Sequence, residues 1–172
     1  WELFGYERWQ NWPEYRDPKK SDIDKIWKNE KEATRFWAWV QMHLEKQLSK
    51  ASKDLTKQGV ALKGDIPIMM NEDSVDIWAH RKFFHLDQKA GAPADAFSPA
   101  GQNWGFPIYN WDALEADGYS WWKRRLQEAA KYYHAYRIDH VLGFFRIWSI
   151  PDKHFTGSLG FFCPSRVIHK DQ

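Results

Sequence analysis

With 172 residues, 43% of them hydrophobic, and 25 Lys+Arg against 23 Asp+Glu, the sequence has the length of one domain and a composition able to form a core. That excludes a disordered or collagen-like chain. A net charge of +2, spread evenly, makes a poor nucleic-acid or membrane-surface binder. The single cysteine, Cys163, has no partner for an intramolecular disulfide and no neighbours for a zinc cluster, which fits a reducing, cytoplasmic setting. No apolar run approaches a membrane span or a signal-peptide core. Trp1 stands where a native cytosolic chain would carry Met, so the sequence reads as a segment of a longer one.

Residues 1–29 are aromatic and charged, interrupted by Pro13 and Pro18, and read as an irregular lead-in with one short helix. From about Glu30, Trp37, Val40, Leu44, Leu48, Ala51 and Leu55 recur at spacings of three and four, which predicts an amphipathic helix closed by Gly59 as a left-handed cap. Its lysines fall mostly off that stripe, as on a solvated face. The run Val60–Ile68 predicts a buried parallel strand with Pro67 at or beyond its end. A second helix follows from Tyr119, Trp122, Leu126, Ala129 and Tyr133, and leads into a second strand over Ala135–Leu142. Helix, strand, helix, strand predicts an α/β fold with about two parallel strands. Residues 69–117 make a connection far longer than usual, and it starts where α/β folds place their ligands, so it reads as a loop-rich, substrate-covering insertion in a single domain. The tail beyond Pro151 is turn-rich.

The chain holds 12 Trp, 7 Tyr and 11 Phe, yet its mean hydropathy is −0.74. Aromatics set among polar residues are what a sugar-binding cleft uses, and filling a core is their other use. On an extended strand Arg137 and Asp139 share a face, and a guanidinium beside a carboxylate favours the ionised acid. That suits a nucleophile and opposes a general acid; an Arg–Asp pair closing a strand is the structural alternative. His140 points to the opposite face, to pack or to reach a sugar hydroxyl. Asp65 stands near the end of the first strand, as a site residue or a turn aspartate. The acidic run Asn71–Asp76 lacks the spacing and glycine of a calcium loop, and Asp73 or Ser74 capping a short helix through Trp78 explains it better. No Ser-His-Asp arrangement, HExxH, P-loop or GxGxxG is present, and neither a metal nor a cofactor is expected.

The stretches Gly64–Ile68, Glu72–Trp78, Gly91–Ser98 with Gly101–Trp111, and Arg137-Ile138-Asp139-His140 together resemble the 4-alpha-glucanotransferases of glycoside hydrolase family 77, in order from about Phe36 to Pro151. The resemblance implies part of a (β/α)8 TIM barrel, with these strands as its third and fourth, and retaining transfer of α-1,4-glucan from maltose or a maltodextrin to an acceptor glucan. It implies Asp139 as the nucleophile of a covalent glucosyl-enzyme and Arg137 as the arginine that orients and ionises it. It further implies His140 near the donor sugar, Asp65 as the aspartate of the preceding strand, Trp104 and Gln102 in the cleavage subsites, and Phe97 on a loop arching over bound glucan. Ala96 stands where many bacterial members carry Tyr, so one stacking platform is absent. Retaining transfer also needs an acid/base carboxyl about 5 Å from the nucleophile. In the family that Glu comes from a later strand, so this segment alone is expected to be inactive. An amylase-type α-glucan hydrolase and a non-catalytic glucan-binding module are the alternatives, with self-association of the segment through exposed apolar faces as a third.

Overall fold

The computed structural model describes residues 2–164; Trp1 lies outside them. The elements in order are α1 (Lys20–Asn29), α2 (Lys31–Lys57), β1 (Lys63–Ile66), α3 (Val75–Ala79), β2 (Phe84–Ala92), β3 (Gln102–Tyr109), α4 (Trp111–Ala116), α5 (Ser120–Ala130), β4 (Ala135–Ile138), β5 (Ile147–Pro151) and β6 (Phe161–Cys163). The chain divides into two compact units. One runs up to Ile66 and takes in Gly118–Arg137; the other holds Pro67–Asp117 and the described residues from Ile138 onward.

In the first unit the expected helix appears as α2, and its end is built as predicted. Gly59 adopts φ +76°, the Gly59 N–H donates to the Thr56 carbonyl, and the Val60 N–H reaches back to that of Leu55, each at 3.0 Å. Its surroundings differ from expectation. Trp37, Leu44 and Leu48 of the stripe are exposed, and the buried residue is Ser52, whose hydroxyl donates to the Tyr132 carbonyl at 2.7 Å. The reason is size: four-residue strands extend roughly 13 Å, whereas 27 helical residues extend roughly 40 Å, so β1 and β4 cover only a fraction of the helix. The lead-in contains the ten-residue α1.

Strands β1 and β4 pair as the expected parallel neighbours. His134 prepares that pairing: its N–H donates to the Leu62 carbonyl at 2.8 Å, and its Nδ1 accepts from the Leu62 N–H at 3.1 Å. Along β1 burial alternates, with Gly64 and Ile66 buried and Lys63 and Asp65 exposed. Gly64 is small because the Tyr133 ring lies against it, where a Cβ would overlap the ring. In α5, Trp121 and Trp122 are both buried and Arg125 lies over their rings, 5.4 and 4.8 Å from the centroids.

The second unit corrects the loop-rich insertion. Residues 69–117 contain β2, β3, α3 and α4, and β2 and β3 join β5 and β6 in an antiparallel sheet of order β3-β2-β5-β6. The alternation that would have announced these strands is broken by Gly91, Gly105 and Pro107, and the β2–β3 register shifts on both sides of Lys89. Ala90, Ile108 and Ile147 form the core of this sheet, with Met69, Trp104 and Cys163 against it. Lys89 is buried and satisfied by Glu72 at 2.8 Å and Asp152 at 3.1 Å. Ser74 caps α3, its hydroxyl accepting from the Ile77 N–H at 3.3 Å, so the acidic run is a helix start as expected. No described helix is long and apolar enough to cross a membrane.

Two outcomes follow from this packing. A Cβ on Gly91 would stand on the Gln102 carbonyl oxygen, a backbone atom that no rotamer change can move. Gly91→Ala should therefore destabilise the sheet by about 1–3 kcal/mol, measured by urea unfolding; unchanged stability would show that β2 and β3 are not so close. Burial pushes the Cys163 thiol above its ordinary value, so the folded chain should alkylate with iodoacetamide more slowly at neutral pH than a free thiol does. The thiolate forms more readily in the unfolded chain, so any stability effect of this group is a loss as pH rises past the ordinary thiol value.

Candidate functional site

In the first unit the residues of interest meet across β1 and β4. Asp65 projects from the exposed face of β1, and the Arg137 Nε and Nη2 both donate to its Oδ2, at 2.9 and 2.7 Å. Sequence spacing had joined Arg137 to Asp139 instead. The strand ends sooner than expected, at Ile138, and His140 takes a left-handed conformation with φ 51°, so the two-residue alternation does not continue through Asp139 and Val141. The signal for the Asp65–Arg137 pair was present: both lie near the ends of strands predicted to be parallel neighbours. Both side chains are more than half exposed, where an ion pair contributes at most about 1 kcal/mol. The pair therefore fixes the direction of the guanidinium more than it stabilises the fold. Asp65→Asn should change unfolding stability by less than about 1 kcal/mol in a denaturant titration; a larger loss would make the pair a structural fastener.

In the second unit Asp139 is exposed in the turn after β4. His140 follows, and its ring stands edge-on to Trp104, with centroids 5.0 Å apart and planes at 86°. The Trp104 indole N–H donates to Gln102 Oε1 at 2.9 Å. Gln102, Trp104 and His140 thus form one chain of contacts. The His140 Nε2 is buried with no hydrogen-bond partner among the described residues. The strand carrying Trp104 is held by Asn103, whose amide donates to the His154 carbonyl at 2.7 Å and whose Oδ1 accepts from the Gly105 N–H at 2.8 Å.

Phe97 lies in the loop between β2 and β3 and is 97% exposed. The loop beneath it is ordered: Asp95 Oδ1 accepts from the Phe97 and Ser98 N–H groups at 2.9 and 2.7 Å, and the Ser98 hydroxyl donates to the Gly101 carbonyl at 2.9 Å. Ala96 beside it is also exposed. Among the described residues no three His, Cys, Asp or Glu side chains gather as metal ligands. Glu72 is engaged by Lys89, and Glu128 by Lys131 at 2.6 Å.

The family model described as 4-alpha-glucanotransferase, glycoside hydrolase family 77, matches residues 2–166. The 4-alpha-glucanotransferase DPE2 of Oryza sativa subsp. japonica is 48% identical over 137 residues, covering 80% of this chain and 14% of that protein. A chloroplastic/amyloplastic 4-alpha-glucanotransferase of Solanum tuberosum is 35% identical over 159 residues, 88% of this chain and 28% of that one. Among solved structures, an amylomaltase from Streptococcus agalactiae in complex with acarbose superimposes with a TM-score of 0.84 at 32% identity, over 94% of this chain and 34% of that chain. The chain thus spans between 14% and 34% of the length of these relatives. The potato relative's plastid placement removes family support for the cytoplasmic setting expected from the lone cysteine. Over nearly all its length, in sequence and in fold, the chain belongs to the 4-alpha-glucanotransferases of glycoside hydrolase family 77.

Proposed function

We propose that this chain is part of the catalytic barrel of a retaining 4-alpha-glucanotransferase that moves α-1,4-glucan segments from maltose or maltodextrin donors to an acceptor glucan. The observation that carries the reading is the Asp65–Arg137 pair, which holds a guanidinium at the end of β4, two residues before a carboxylate. Family membership and the acarbose complex of the related amylomaltase support an α-glucan substrate.

In this reading the Asp139 carboxylate attacks the anomeric carbon as the glycosidic oxygen leaves, and a covalent glucosyl-Asp139 forms. Arg137, two residues before it in sequence, is the arginine that orients this carboxylate for attack. The bond is then remade to the 4-hydroxyl of an acceptor, with net retention. A separate acid/base carboxyl protonates the leaving oxygen and later takes the acceptor's proton. In the family this Glu comes from a later barrel strand; of the Glu residues here, Glu72 and Glu128 are paired with lysines and Glu115 lies on α4. The 172 residues alone are therefore expected to turn over no glucan and to bind it hardly at all. His140, Gln102 and Trp104 contact the sugar next to the cleaved bond, and Phe97 stacks on a glucose ring farther along the chain.

The test uses the parent enzyme and the isolated segment side by side with maltose or maltotriose. Asp139→Asn in the parent should lower transfer by at least about a thousandfold while glucan binding stays measurable, and the segment should release no glucose. Near-normal rates in Asp139→Asn would remove Asp139 as nucleophile. Products with a net rise in reducing ends, instead of longer glucans, would show hydrolysis. Tight glucan binding by the segment that Trp104→Ala abolishes would identify a binding module.

A further inference from the structure

His140 occupies a left-handed turn and its ring is only half-buried, so something beside it must hold it against Trp104. Gly143 does this by what it lacks. It is buried, its N–H donates to the His140 carbonyl at 2.9 Å, and a Cβ built on it would meet the Ile68 Cδ1 at 3.0 Å, the His140 Cδ2 at 3.1 Å and the Ile147 Cδ1 at 3.2 Å. Each contact is tight enough to force its neighbour back by a few tenths of an ångström. Which neighbour yields follows from how each is held. Ile68 is 2% exposed, and its carbonyl accepts from the buried Tyr109 hydroxyl. Ile147 is 3% exposed and lies in the sheet, paired to Cys163 of β6. The His140 ring meets Trp104 edge-on, and His140 as a residue is more exposed than either isoleucine, so it is the neighbour with most room to yield.

We propose that Gly143 is a positioning residue for glucan transfer, its missing side chain setting the place of the His140 imidazole and, through edge contact, that of the Trp104 indole. This rests on the reading that His140 and Trp104 contact sugar. The requirement is steric, since Gly143 has no positive φ, so even alanine is large enough to break the arrangement. Displacing a positioned group by a few tenths of an ångström should lower kcat/KM by roughly three- to tenfold, given that about 1 Å can cost a hundredfold.

A double-mutant cycle in the parent enzyme separates this role from simple packing. Wild type, Gly143→Ala, His140→Gln and the double variant are compared for kcat/KM with maltotriose. The flexible Gln side chain can give way to the new methyl, so Gly143→Ala should lower the rate in the wild-type background and change it by less than about twofold in the His140→Gln background. An equal loss in both backgrounds, with His140→Gln itself impaired, would overturn the role of Gly143 and leave the reading of His140 intact. Wild-type rates in His140→Gln would instead overturn the reading on which the proposal rests. Should Gly143→Ala fail to fold, the additional changes Ile68→Val and Ile147→Val remove the two apolar clashes and leave the one on the ring. Recovered melting temperature with a low rate then supports the proposal; recovery of both together overturns it.

Discussion

Pairing between β1 and β4 is the constraint from which the rest of this chain follows. The strands are four residues long, and residues 67–134 separate them in sequence. Bringing together segments so distant costs chain entropy before any hydrogen bond forms, and two four-residue strands repay little of it. The intervening residues must therefore be ordered on their own account. Most of them are: β2 and β3 form a sheet whose core residues Ala90 and Ile108 are almost fully buried, and β5, arriving after β4, completes it against β2. Such an insertion shortens the effective loop that the β1–β4 pairing has to close.

The two units differ in how they are stabilised. In the second, apolar burial dominates, and the buried Lys89 has two carboxylates within hydrogen-bonding distance. In the first, aromatic bulk does the work at Trp9, Trp12, Trp121 and Trp122, while the apolar stripe of α2 remains exposed. A stripe of that length on a helix is a surface made to be covered.

What could be read from the sequence depended on whether the signal was local. Helical spacing located α2 and α5, and Gly59 marked the end of the first, because a helix and its cap are written within a few residues. The environment of α2 was not readable, since burial is decided by what lies opposite. The β2–β3 hairpin was missed because bulges and Pro107 destroy the two-residue period on which strand recognition depends. The site shows both cases. Arg137 and Asp139 were singled out by their spacing on a strand, but that spacing predicted a geometry that the left-handed His140 interrupts. Partnership between Asp65 and Arg137 follows from the predicted parallel pairing of their strands, not from the local spacing of either residue.

The aromatic excess also divides by restraint. Trp121, Trp122, Phe83 and Tyr109 are buried and account for core volume, as most aromatic side chains do. Phe97 is the opposite extreme, a 97% exposed ring on a turn whose backbone is fixed by Asp95 and Ser98. Exposure forgoes the stabilisation that burying a phenylalanine would bring, on the order of 1.5–3 kcal/mol, and the local hydrogen bonds keep the turn from collapsing to recover it. A ring held out in this way has already lost much of the backbone freedom that binding would otherwise have to remove. Prior ordering of this kind lowers the entropic cost of stacking on any neutral polymer whose affinity must come from stacking and hydrogen bonds without help from charge.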